Sequence, residues 1–218
     1  MFSLSRIYKS IIMERKPKSV KIIYWITNIV FWIFAIASFI GFVFGIAIVF
    51  GFLNKTQLHI GMPLGMDITE IGLLELNGQK VDVQLKEMYG KLHLIDAPKE
   101  ISRVYGVFIL IILSVVLYIL MTFKKFITNV YHGAYFDRGN IFLLKRISYA
   151  LVGVWLFAFF YTGFQYFYLF QNIEFTTVVF SGNFQTYPAV LIVALLIWVL
   201  SHIFQKGVEL QSDHELTI

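Results

Sequence analysis

The chain contains no cysteine, which excludes a disulfide framework, a thiolate metal site and a thiol nucleophile. Charge is scarce as well: Asp, Glu, Lys and Arg make up 14% of 218 residues, where soluble chains carry about 25%. So few ionised groups cannot cover a water-facing surface. Proline occurs four times and never near the middle of a long apolar run, so the broken helices that build many transport sites have no proline signal here. What the chain has in quantity is apolar side chains, 58% of the total, with aromatics at 18%.

Those side chains are grouped. From Ile22 to Leu53, between Lys21 and Lys55, no side chain ionises over 32 residues. A hydrocarbon layer of roughly 30 Å needs about 20 such residues, and the run exceeds the 7 to 15 residues of a cleavable signal core. It reads as a retained span that must tilt or extend past the lipid, since 32 residues reach about 48 Å as a helix. Three further runs follow at 104–123, 147–170 and 187–204. The fold expected is an all-α membrane protein with four transmembrane helices.

The Lys and Arg residues flank these runs, so the net charge of +5 is a topology signal and no direct nucleic-acid contact is expected. Residues 1–21 hold six of them and the loop 124–146 holds five, while the loop 171–186 holds none. Both termini are therefore expected in the cytoplasm, with the lipid bilayer as the first partner and the bacterial cytoplasmic membrane as the location. The tail 205–218 carries only Lys206, and the even number of spans decides its side.

Residues Phe2, Leu4, Ile7, Tyr8, Ile11 and Ile12 fall near helical spacing around Arg6 and Lys9, a short basic helix on a membrane surface ended by Pro17. Met13 offers an alternative start. Between the first two spans, residues 54–103 change character: six basic and seven acidic residues mix with alternating apolar ones. Leu74, Leu76, Val81, Val83 and Leu85 alternate around Asn77–Gly78, a dipeptide suited to a two-residue hairpin turn. Gln57–Gly61, before Pro63, and Lys91–Ile95 add two more strand candidates, giving a small β-rich extracytoplasmic cap.

Within the first span, Ala37, Gly41 and Gly45 recur every fourth residue. Small side chains at this spacing admit a second helix at close range. Packing inside the protein's own bundle is the favoured reading, and a homodimer seam is the other. A ring of Tyr161, Gln165, Tyr166 and Tyr168 could cage an aromatic ligand, although aromatics at helix ends more often anchor spans at the headgroups.

The chemistry that would make an enzyme is not evident. No span carries a plainly buried ionisable residue, and His202 lies one turn from Lys206 at the span boundary. The other histidines are scattered, without the spacing of two ligands on one helix face. No glycine-rich phosphate loop follows a strand. No catalytic residue, metal ligand or cofactor is assigned, and the expectation is a non-enzymatic protein.

Two stretches at the basic ends of the spans form motifs. Gly133, Phe136, Asp137, Asn140, Leu143, Lys145, Arg146 and Ile147 read G-x-x-F-D-x-x-N-x-x-L-x-K-R-I at the entrance to the third span. The last residues read I-F-Q-K-G-V-E-L-Q-S-D-H-E-L-T-I, which includes Phe204, Gly207, Leu210, Gln211, Leu216, Thr217 and Ile218. Together they resemble a bacterial multi-pass membrane protein family known only as domain of unknown function 2975, over essentially the whole chain. Asp213 and Glu215 exchange the two acids of the family's tail, and residues 54–103 carry no motif of it. The resemblance implies four helices, no assigned activity, and a membrane component that influences transcription beside a helix-turn-helix regulator of the Cro type. A regulatory or sensory role follows from it, with a small transporter or channel component as the alternative. The acidic tail would then dock either on a basic partner or on Lys145 and Arg146 of its own chain.

Overall fold

The computed structural model describes residues 18–53, 58–66, 70–76, 78–85, 88–94, 97–135, 137–173, 180–181 and 186–215. The surface helix expected over Phe2–Ile12 and the motif residues Phe136, Leu216, Thr217 and Ile218 lie outside them, as does the side chain of Gln211. The helices are α1 (Lys18–Phe50), α2 (Lys99–Tyr131), α3 (Arg138–Phe164) and α4 (Pro188–Glu215). The strands are β1 (Leu58–Met66), β2 (Glu70–Leu76), β3 (Gln79–Leu85), β4 (Met88–Leu94) and β5 (Phe180–Ser181). Each helix contains a stretch long and apolar enough to cross a membrane, as the four runs led one to expect.

The pattern of burial is what lipid as solvent demands. Ile22, Trp25, Trp32, Phe39 and Phe44 on α1, and Leu195, Leu196 and Ile203 on α4, are exposed, whereas Ser38, Thr122, Ser148 and Ser201 are buried. In water this arrangement would be inside out. In a bilayer the outer face must be apolar, while small and hydroxyl side chains let helices approach and bond. Ser148 Oγ donates to the Ala194 carbonyl at 2.8 Å, and Ala194 is fully buried. Thr122 and Ser201 return their hydroxyls to Tyr118 and Trp198 of their own helices.

Helices and apolar runs do not share boundaries. Helix α1 stops at Phe50, ahead of Leu53, because Gly51 takes a positive φ of 74°. There Gly51 N donates to Ile48 O and Phe52 N to Ala47 O, the pair of bonds that closes a Schellman end. Helix α2 continues past Phe123 to Tyr131, α3 already begins at Arg138, and α4 runs through the tail to Glu215. After Phe164 the third helix widens into a π-helical turn over Gln165–Leu169 and then a 3₁₀ turn over Phe170–Asn172.

The chain divides into two compact units. The first comprises the described residues within Met1–Val43, Ile111–Val154 and Pro188–Ile218. In it α1 and α2 run antiparallel: Tyr24 stacks on Tyr131 at 4.4 Å, Lys124 Nζ lies 4.2 Å from the Phe31 ring centre, and Gly41 faces Leu113. A Cβ on Gly41 would come within 2.6 Å of Leu113 Cδ1. The stripe therefore meets the chain's own second helix, and its first member is shifted: Ala37 is exposed, while Ser38 is 2% exposed.

The second unit comprises Phe44–Leu110 and Trp155–Tyr187. A Cβ on Gly45 would meet Leu110 at 2.8 Å, and Gly106 lies against Ile48 and Val49. Strands β2 and β3 form the expected hairpin with Leu76 opposite Gln79, and Gly78 has φ 79°. Strand β1 pairs with both β4 and β5. It runs through Pro63, where a strand end was expected. Its register with β4 slips between Ile60 and Leu64, and a bulge is where a residue without an N–H is tolerated. Tyr105 and Leu169 form a buried core with Ile101, Tyr161 and Phe164 around them. Gln165 reaches the Tyr105 hydroxyl at 3.5 Å. The aromatic ring suggested as a ligand cage is thus occupied by its own neighbours: Tyr161 packs edge-on to Tyr105 and Phe108, and Tyr168 stacks on Phe164 at 5.1 Å.

Candidate functional site

The first half of the first motif is a helix connector, and its Asp137 and Asn140 side chains both bond backbone. Gly133, with φ 91°, lies just past the end of α2. Its N–H donates to Val130 O and that of Ala134 to Asn129 O, so two of the last carbonyls of α2 have partners. Three residues on, Asp137 caps α3: its Oδ2 accepts from Gly139 N at 3.1 Å. Asn140, at 1% exposure, ties both ends together. Its Oδ1 accepts from Asn129 Nδ2 at 2.8 Å, and its Nδ2 donates to the Ala134 carbonyl.

The two motifs meet across α3 and α4. Lys145 Nζ donates to Gln205 Oε1 at 3.1 Å, and Gln205 Nε2 donates to Glu209 Oε1 at 3.2 Å. Lys206 Nζ reaches the other oxygen of Glu209 at 2.7 Å. Hydrogen bonds from Lys206 and Gln205 hold this carboxyl below the usual carboxylate range. The Arg146 guanidinium lies 4.2 Å over the Phe142 ring, a cation–π contact. Between the helices is an open groove of about 420 Å³, with Arg138, Ile141, Phe142 and Lys145 on one wall and Gln205, Val208 and Glu209 on the other.

The structure thus brings Gly133, Asp137 and Asn140 into one connector, and it sets Arg146 beside the groove. Of the second motif, Phe204 and Gly207 are half-buried on α4, and Leu210 is 64% exposed. Lys145 of the first motif and Gln205, Val208 and Glu209 of the terminal stretch line the groove, together with Arg138, Ile141 and Phe142. Asn129, Arg138 and Phe142 were not singled out, and Gln205 entered only as part of the quoted terminal stretch, a lone amide just after the apolar run ends at Phe204. His202 packs edge-on against Trp198 at 4.5 Å, and Asp137 serves as the cap of α3. Among the described residues no group of three or more His, Asp or Glu side chains is placed to hold a metal ion.

Four apolar helices with their hydroxyls turned inward and their large side chains outward define a multi-pass membrane protein. Residues 84–218 match the model of a family described as protein of unknown function (DUF2975), and the chain belongs to that family. The match opens within β3, so it leaves out α1 and the strands before it, where the resemblance had been taken to run over nearly the whole chain. No curated protein and no solved structure matches the chain.

Proposed function

We propose that this is a non-enzymatic regulatory or sensory protein of the bacterial cytoplasmic membrane. In this reading both termini and the α2–α3 connector face the cytoplasm, where the chain engages a helix-turn-helix transcription regulator. The observation that supports it most is the continuation of α4 beyond its apolar run: the helix goes on from Phe204 to Glu215, joined to Lys145 through Gln205 and carrying an exposed Leu210. A helix end carrying an exposed leucine beyond the apolar run suits a protein partner better than a catalytic role. The transport reading is weaker, because no apolar run carries a proline near its middle or a plainly buried ionisable residue.

The test is co-purification from native membranes in mild detergent, comparing the full chain with one truncated after Gly207. A DNA-binding protein retained by the full chain and lost on truncation supports the proposal. Solute flux in liposomes with no retained regulator would favour a transporter or channel component instead.

A further inference from the structure

The groove between α3 and α4 lies at a particular depth. Lys145 is two residues ahead of Ile147, where the third apolar run begins, and Gln205 directly follows Phe204, where the fourth ends. The groove therefore straddles the level at which hydrocarbon gives way to headgroups. Along α3 the lining runs Arg138, Ile141, Phe142, Lys145 toward the hydrocarbon, so the apolar side chains lie between the two cations. Ile141, Phe142 and Val208 supply apolar wall, and Phe142 is 55% exposed, while Arg138 and Lys145 supply positive charge. The single acid among the lining residues, Glu209, is engaged by Lys206, so the pocket carries net positive charge.

We propose that this groove binds the headgroup of an anionic phospholipid, with Arg138 and Lys145 on the phosphate, the headgroup carbons against Ile141 and Phe142, and the acyl chains leaving past Lys145 into the hydrocarbon. Basic pockets between membrane helices are suited to such lipids because the acyl chains are already present and only the phosphate must be recognised. A free phosphate would share the charge contacts but would leave the apolar wall uncovered. The site needs no protein partner and stands independently of the regulator reading above.

The full-length protein, purified in a neutral detergent, is titrated with phosphatidylglycerol and with phosphatidylcholine of identical chains, and retained lipid is counted by native mass spectrometry. Phosphatidylglycerol is expected to bind more tightly. Arg138→Gln should weaken it about fivefold, as expected for one basic residue near a headgroup, while Lys125→Gln, at similar depth on α2, leaves it unchanged. Glu209→Gln removes the opposing charge and frees Lys206, so it should tighten binding by a similar factor, an outcome that misfolding cannot imitate. Lys145→Arg should retain binding. Equal retention of both lipids, or indifference to Arg138→Gln and Glu209→Gln, overturns the proposal. Competition by inorganic phosphate alone at equal concentration overturns the lipid as the occupant.

Discussion

Asn140 makes three claims on its surroundings and meets all of them. Its amide bridges Asn129 and the Ala134 carbonyl, and its backbone N–H donates to the Asp137 carbonyl at 3.0 Å. Replacing it with alanine leaves two polar groups unpaired beside a buried site, a cost of about 2–4 kcal/mol. Asn140→Ala should therefore lower the apparent melting temperature in detergent clearly more than Asp137→Ala, where loss of the cap costs about 1 kcal/mol. Gly133→Ala forces a side chain into the left-handed region at φ 91° and should cost about 1 kcal/mol. A thermal-shift series over these three variants ranks them, and Asn140→Ala melting no lower than Asp137→Ala would contradict the bridge. These residues were visible in the sequence as a motif, but not as a connector. Gly, Asp and Asn carry opposite local signals, ending one helix and starting the next, and they become one device only when α2 is seen to reach Tyr131.

At the scale of elements, α1 and α2 touch through glycine. Gly41→Leu brings a four-carbon side chain to a place where even a Cβ would lie 2.6 Å from Leu113, and overpacking of this kind costs about 1–3 kcal/mol. Folded yield and monodispersity in detergent should fall for Gly41→Leu and for Gly45→Leu, and Leu113→Ala should restore the first but not the second. Rescue of both by Leu113→Ala would mean the clash had been misassigned. Apolar runs made the spans legible, but not the helix lengths, because residues 124–131 and 205–215 extend their helices without an apolar stretch to reveal them. The β2–β3 hairpin could be read from its alternation and its Asn77–Gly78 turn. The passage of β1 through Pro63 and its pairing with β5, only two residues long, depend on contacts far apart in the chain and leave no local trace.

For the molecule as a whole, solvent inverts the usual sorting of side chains, and topology becomes the property most open to test. The natural absence of cysteine makes the wild-type chain its own blank. Single replacements His132→Cys in the connector and Gln84→Cys in the hairpin should react with a membrane-impermeant maleimide from opposite sides: Gln84→Cys in intact spheroplasts, His132→Cys only after lysis. Labelling of His132→Cys in intact spheroplasts would invert the orientation proposed above. That orientation is drawn from the charge asymmetry between loops and the even number of spans. The groove was not legible, since it depends on Gln205 and Lys145 meeting although they stand 60 positions apart.

Helix α4 passes from Pro188 to Glu215 without a break, 28 residues in one piece, or about 42 Å of rod. A rod of that length is a lever. If its Pro188 end is held and the helix leans by about 10°, its far end travels about 7 Å. A small change in tilt, the response of a span to a change in membrane thickness, is thereby converted into a displacement of several ångströms at the Glu215 end.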